Sequence, residues 1–504
     1  MRLRERLWNP CATVFFSSAC IMVIELVASR MIAPRLGVSL YTWTSVIGVI
    51  LAGISVGNYL GGRLSDQRGS FPFLGLVLAL ASIASLGILW LSNDLSEANL
   101  PKSFPFMARV VGYIAGVFFV PSALLGCVSP IVVKLGLTSL DNSGATVGKI
   151  YAWSSVGSIV GTFATGFYLI SWFGTKIIVL IVSGLLMLMA LWFLTCTRLK
   201  KALLWAALAL CAFGLSAWLL NRGGFLGREC LLETNYYCIK VSEEDIGGRT
   251  VRSLVLDRLV HSYSDPDDPT YLVYGYERAY AQVIQPLMER KPNLEALFIG
   301  GGGYTFPRYL EATLPQSRLV VSEIDPRVTE VAQARLGLDP ATRIQTHNLD
   351  ARVFVALHCE PDSYDVVFGD AFNDFSVPFH LTTLEFDRLV DRLLRDDGLY
   401  VVNIVDGGRR GHFMRAYVHT LRQVFPHVAV IPSGDDWRES VRTTFVIVAG
   451  HQPLDLSHLP AGSQPLGEEE LEAYLSLDPP LILTDEYVPV DNLLAPVFED
   501  SYRG

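Results

Sequence analysis

At 504 residues, 51% hydrophobic and with positive mean hydropathy, the chain falls outside the class of single soluble domains. Its charge is divided: up to Leu220 there are 15 Lys and Arg against 6 Asp and Glu, beyond it 25 against 43, and all 9 histidines lie in the second part. The acidic second part disfavours nucleic acid as a partner and suits a cationic substrate as well as plain solubility.

The front of the chain reads as membrane. The first apolar segment, 12–33, is too long for a signal-peptide core and lacks a convincing cleavage site. Further spans are predicted near 42–60, 73–91, 107–133, 149–172, 177–195 and 202–220, each close to the roughly 20 residues that cross a bilayer. The fourth is interrupted by Pro121 and Pro130. Arg2, Arg4 and Arg6 precede the first span, and Arg63, Arg68, Lys134, Lys149, Arg198, Lys200 and Lys201 fall in alternate connections. That bias puts the N-terminus in the cytoplasm of a cell (inner) membrane. Seven spans then place the following part outside, and six or eight place it inside. Glu25 sits mid-span, as a functional acid or as a structural partner for Arg30. The run Gly61-Gly-Arg-Leu-Ser-Asp-Gln-Arg-Gly69 resembles the loop between the second and third helices of major facilitator transporters.

Eight cysteines show no CxxC and no metal-ligand spacing, so no metal is expected. Cys11, Cys20, Cys127, Cys196 and Cys211 lie in or beside apolar segments, as small hydrophobes do. Cys230 and Cys238 flank the start of the soluble part and can pair in an oxidising compartment. There, residues 233–241 alternate like a strand, Gly247-Gly248 makes a turn, and 252–256 is the return strand. Asp257-Arg-Leu-Val-His261 and an acidic loop, 265–269, close a small β-domain. A helix is predicted over 271–288, carrying Tyr274, Tyr276 and Glu277 near its start.

The most informative stretch follows. Residues 296–299 form an apolar run without helical period, then come Gly300, Gly301, Gly302 and Gly303, a helix opening near 306, a second apolar strand at 318–321, and Glu323 and Asp325. Glycines let backbone approach a ligand, and an acid just over twenty residues later is placed to bind ribose hydroxyls. No third glycine of a dinucleotide fingerprint sits inside the helix, so adenosine carried by a sulfonium cofactor fits better than NAD. Asp350 ends a third strand, where it can accept from an adenine amino group. Tyr364-Asp-Val-Val-Phe-Gly-Asp370 is a fourth strand that ends in an acid at the ligand-binding edge of such sheets. A helix over 382–394 and strands at 399–405, 428–431 and 443–448 complete seven.

On these residues, together with Leu256-Asp257 and Val377-Pro-Phe-His-Leu-Thr-Thr-Leu-Glu-Phe386, residues 230–450 resemble a spermidine synthase, an aminopropyltransferase. The chain as a whole resembles the membrane-fused spermidine-synthase-like proteins. The resemblance implies a multi-pass α-helical membrane domain (1–220, about seven helices) and a small β-domain (221–270). An α/β Rossmann-like domain (271–504) with the seven strands of class I S-adenosylmethionine methyltransferases follows. It implies decarboxylated S-adenosylmethionine as co-substrate, held by Gly300 to Gly303, Glu323 on the ribose, Asp350 on the adenine, Ala351 and His261. Asp370 would take the proton from the attacking amine, with Tyr276, Glu277, Asn373 and Asp374 around a polyamine or other amine. Lipid bilayer is the implied surrounding, and a homo-oligomer through the synthase part is open.

The chain departs from the family pattern mainly on the acceptor side. Tyr304 replaces an aspartate, Arg258 a glycine and His261 a glutamine, Gly275-Tyr276-Glu277 stands for tyrosine–histidine–glutamate, and Asn373 takes the place of an acid that reappears as Asp374. His347 and His380 read as ordinary loop or surface histidines. A methyltransferase of the same fold, using S-adenosylmethionine itself, stays open. So does a transporter-like membrane protein with a nucleoside-binding sensor domain.

Overall fold

The computed structural model describes residues 8–37, 39–94, 104–137, 142–195, 200–227, 229–371, 377–434 and 436–501. The chain divides into two compact units, one up to Asn235 and one from Tyr236 onward.

In the first unit, among the described residues, seven helices are long and apolar enough to cross a membrane: Pro10–Leu36, Leu40–Arg68, Phe71–Asn93, Met107–Gly136, Ser143–Phe173, Thr175–Thr195 and Leu203–Arg222. The fourth breaks at Cys127, between Phe106–Gly126 and Val128–Gly136. Pro130 has no N–H to offer the carbonyl four residues back, which accounts for the break. The first span packs on the fifth, the second on the fourth and the third on the sixth. Small residues bring these backbones together: a Cβ at Gly57 would lie 2.1 Å from the Ala123 carbonyl oxygen, and Ser18 and Ser154 hydroxyls meet at 2.6 Å. Large apolar side chains such as Leu188 and Trp172 point outward, as a lipid environment requires. Arg30 donates to the Thr234 carbonyl, and Glu25 has one buried carboxylate oxygen, Oε2, without a hydrogen-bond partner.

The strand predicted over 233–241 is broken for a physical reason. Glu233 ends a two-residue strand, β1 (Leu232–Glu233), and its carboxylate accepts the N–H of Thr175 at 2.7 Å, capping the sixth span. Asn235 accepts from Ser171 at 2.6 Å. Residues 233–235 are thus fastened to membrane helices, and a strand resumes only at Cys238.

The second unit begins with an antiparallel meander of β2 (Cys238–Ile246), β3 (Arg249–Leu256) and β4 (Leu259–Ser264). The third of these was missed in the sequence, where Asp257 to His261 read as a closing segment; Asp257, at φ +54, turns the chain back instead. The helix Gly275–Arg290 starts later than predicted, because Arg278 takes the Leu272 and Val273 carbonyls and holds that approach extended.

A seven-stranded sheet follows, of β5 (Glu295–Ile299), β6 (Arg318–Ser322), β7 (Gln345–His347), β8 (Tyr364–Gly369), β9 (Leu394–Asp406), β10 (His427–Pro432) and β11 (Thr443–Gly450). Its order is β10-β11-β9-β8-β5-β6-β7, parallel from β9 to β7 and antiparallel at β10 and β11. This is the Rossmann-like seven-stranded fold expected. β5, β8 and their neighbours are apolar on both faces, as sheet strands covered on both sides are. Phe298 and Phe368 stack at 4.9 Å between neighbouring strands, and Tyr280 and Phe306 close over Phe368 at 5.1 Å each. This aromatic cluster fixes the floor beneath the ends of β5 and β8.

Candidate active site

The chain leaves β5 towards β6 on one side and reaches β8 and β9 on the other, so the ends of β5 and β8 flank the point where strand order reverses. Ligands of such sheets lie there, at the carboxyl edge. Asp370 follows β8, Gly300 to Gly303 follow β5, Glu323 follows β6 and Asp350 comes just after β7. Neighbouring strands are about 4.8 Å apart, so this row spans roughly 15 Å, the reach of a nucleoside with a short side chain.

The glycines are needed for two different reasons. Gly300 has φ +96, and a Cβ there would lie 2.4 Å from the Asp370 carbonyl oxygen. Gly303 backs onto β4, where a Cβ would lie 2.0 Å from Ser262 Oγ. Tyr304, also left-handed at φ +57, starts the helix Thr305–Thr313 and is fully buried. Its hydroxyl meets those of Thr329 and Thr346 at 2.8 and 3.2 Å, and burial pushes the phenol up to about 12. The aspartate-to-tyrosine departure therefore fills the space beneath the loop.

Glu323 braces the loop from the next strand. One carboxylate oxygen accepts from Gly301 N at 2.9 Å and Gly302 N at 3.3 Å, the other from Asp325 N at 2.9 Å. The residue is 6% exposed, and burial raises its carboxyl despite those three donors. Asp350 caps the helix Ala351–His358, with Oδ1 accepting from Arg352 and Val353 N–H at 3.0 and 3.1 Å. Its Oδ2 lies 2.8 Å from His380 Nε2. Ala351 is the buried first residue of that helix.

Asp370 is held by two groups. Asn403 Nδ2 donates to Oδ1 at 2.8 Å and the Tyr276 hydroxyl donates to Oδ2 at 3.1 Å. Burial raises its carboxyl above the usual aspartate value, and the two donors offset this in part. A cavity of about 260 Å³ opens from it, lined also by His261, Tyr274, Tyr276, Asn403 and Arg442. Glu277 does not line that cavity. It is 3% exposed, reaches back to the Tyr274 backbone at the start of its own helix, and is raised well above the usual carboxylate value by burial and then by the Asp370 charge. A buried carboxylate positioned by two neutral donors beside a cavity can accept a proton from a molecule bound there.

No protein-family model matches the chain. A polyamine aminopropyltransferase from Chromobacterium violaceum is 30% identical over 189 residues, covering 37% of this chain and 68% of that protein. The chain belongs to the polyamine aminopropyltransferase family. Polyamine aminopropyltransferase 2 of Ralstonia nicotianae is 24% identical over 462 residues, 84% of each chain, so the similarity reaches into the membrane unit. The chain spans less than half the length of the first curated relatives it matches, 46% and 28%. Among solved structures, a probable spermidine synthase from Corynebacterium glutamicum is similar at 24% identity and a TM-score of 0.44, over 49% of this chain and 93% of that one.

In this polyamine aminopropyltransferase relative, the structure places the predicted residues in two groups. Gly300 to Gly303, Glu323, Asp350 and Ala351 lie along the sheet edge from β5 to β7. His261, expected at the cofactor, lines the cavity with Tyr276 and Asp370, its Nδ1 3.0 Å from the Leu259 carbonyl oxygen. Asn373 and Asp374 lie outside the described residues. Three contributions were missed. Asn403 was signalled by a lone amide in the apolar run Val401-Val-Asn-Ile-Val405. His380, read as a surface histidine, meets Asp350. Tyr236 and Tyr237 border the acids of β6 and β7: burial raises the Tyr236 phenol, and the charges of Asp325, Asp350 and Glu323 raise it further.

Glu323→Gln tests the brace. The amide would turn an N–H towards one of three backbone donors, and an unmet buried donor costs about 1–3 kcal/mol. The Kd for methylthioadenosine, measured calorimetrically, is expected to rise about tenfold or more. An unchanged Kd would show that the loop holds its shape without this acid.

Proposed function

We propose that this chain transfers an aminopropyl group from decarboxylated S-adenosylmethionine to an amine such as putrescine, releasing methylthioadenosine. The observation that carries this reading is the row of Asp350, Glu323, the glycine loop and Asp370, ending at a cavity with room for a small amine. Glu323 and the loop would hold the ribose and Asp350 the adenine, leaving the sulfonium near Gly300 and its three-carbon arm towards Asp370. The acceptor nitrogen attacks the methylene carbon bonded to sulfur, the C–S bond breaks with its electron pair going to sulfur, and neutral methylthioadenosine leaves. The nitrogen's surplus proton passes to Asp370. The sulfonium activates its own leaving group, so the protein's work is alignment and proton removal. Tyr276 orients the base, His261 and Tyr274 flank the acceptor, and Asn373 and Asp374 are proposed to contact it.

A second reading, intact S-adenosylmethionine as the donor, is favoured by one observation. Arg442 lines the Asp370 cavity, and a guanidinium suits the carboxylate that the decarboxylated form lacks. Calorimetry of the detergent-solubilised full chain with both forms and with methylthioadenosine separates the two. Tighter binding of the decarboxylated form supports aminopropyl transfer, and tighter binding of the intact form supports the second reading. No binding of any would leave the nucleoside site unused and turn attention to the membrane unit.

For orientation, we infer a cytoplasmic N-terminus and, with seven spans, a synthase part on the opposite face. Cys230 and Cys238 flank the start of the synthase part and can pair in an oxidising compartment. A C-terminal alkaline phosphatase fusion in a bacterial inner membrane is expected to be active, and an inactive fusion of a well-expressed chain would contradict this.

A further inference from the structure

We propose that the C-terminal tail sets the purine selectivity of the nucleoside site, with Asp485 acting through Arg352 and His380 to position Asp350. This rests on the reading that Asp350 meets the nucleobase.

Asp485 and Arg352 are 133 residues apart in sequence and form a two-pronged ion pair, with Nη1 to Oδ1 at 2.7 Å and Nη2 to Oδ2 at 2.5 Å. The same Arg352 Nη1 donates to the His380 carbonyl at 3.0 Å, and His380 Nε2 reaches Asp350 Oδ2 at 2.8 Å. The tail is seated independently. Leu384 N donates to the Leu483 carbonyl at 2.8 Å, Leu483 N to Thr420 Oγ1 at 2.9 Å, and Asp485 N to Glu385 Oε2 at 2.9 Å. Thr383 Oγ1 adds a donor to Asp485 at 2.7 Å.

The chain of contacts has a directional consequence. Asp350 Oδ1 is occupied by the first turn of its own helix, so Oδ2 is the oxygen left to meet a ligand. His380 sits on one side of Oδ2 and fixes which lone pair remains. Without Arg352 on its carbonyl, the short turn that carries His380, Phe379–Leu381, loses its tie to the adenine side of the sheet. An acceptor aimed in one direction distinguishes a 6-amino purine, which donates there, from a 6-oxo purine, which does not. Asp485, Arg352 and His380 are thus positioning residues for the base.

The test compares methylthioadenosine with methylthioinosine, using the detergent-solubilised full chain and calorimetry. The unaltered protein is expected to prefer methylthioadenosine. In Asp485→Ala the ratio of the two Kd values is expected to fall about tenfold towards one, and Asp485→Glu is expected to recover most of it. A tail that served folding alone would lower the melting temperature and the binding stoichiometry and leave the ratio in place, which would overturn the proposal. His380→Ala, which leaves the tail's own contacts intact, is expected to lower the ratio likewise and decides the matter where Asp485→Ala folds poorly. An unaltered protein that binds both nucleosides equally overturns the inference alone. One that binds neither overturns the nucleoside reading and this inference with it.

Discussion

Asp370→Asn is expected to lower kcat by a factor of about 10² to 10⁴, the usual contribution of a positioned general base, while nucleoside affinity stays the same. The amide keeps the volume and can still bond Asn403 and Tyr276, so what is lost is the place to put a proton. The pH profile carries the same signature. Burial raises the Asp370 carboxyl, and only its ionised form can act as base, so kcat/KM is expected to fall on the acid side through a value above the ordinary aspartate range. In the variant that acid limb disappears. The stability effect has the opposite sign. Between the ordinary value and the raised one, the folded chain holds a proton that the unfolded chain releases, so Asp370 costs stability as pH rises through that window. The Asn variant is therefore expected to melt no lower than the parent at neutral pH. A variant that melts lower and binds nucleoside poorly would mark Asp370 as structural.

Gly300→Ala is expected to reduce both turnover and nucleoside affinity, with kcat falling about a hundredfold. At φ +96 a side chain strains the backbone, and the added carbon would stand 2.4 Å from the Asp370 carbonyl oxygen. Either the loop or the end of β8 must move, and a displacement near 1 Å at a reacting centre costs about 10²-fold. Gly302→Ala is the control. Its φ is +48, within the left-handed region, and nothing lies within 4 Å of the added carbon, so about 1–2 kcal/mol of backbone strain is expected without displacement of Asp370. Equal losses in the two variants would show that loop flexibility, and not the contact with Asp370, sets the rate.

The parts of this fold that were legible in the sequence are those specified by local order. A strand, four glycines, a helix, a strand and an acid follow one another in sequence, so Glu323 was legible as an acid at the tip of the second strand beside the loop; its bonds to the loop N–H groups were not. Asp370 was legible because it ends an apolar strand, and Asp350 because it follows the next strand in order after Glu323. The seven spans were legible from their length. Contacts that close between distant segments left no such trace. Asn403 reaches Asp370 from a strand 33 residues on, and Asp485 reaches Arg352 across 133. The broken strand after Glu233 has the same origin. Alternation predicts a continuous strand, but Glu233 and Asn235 are drawn to the membrane helices by partners more than 55 residues away. Glu277 reads in the sequence as a ligand for an amine; in the fold it is buried near the start of its own helix, with one carboxylate oxygen, Oε2, unpartnered.

The most direct measurement of the central claim is product analysis of the purified full chain given decarboxylated S-adenosylmethionine and putrescine. The account predicts methylthioadenosine and an aminopropylated amine in equal amounts, both formed at least about a hundredfold more slowly in Asp370→Asn. Absence of both with the decarboxylated donor, together with transfer of a methyl group and release of S-adenosylhomocysteine from the intact one, would contradict it.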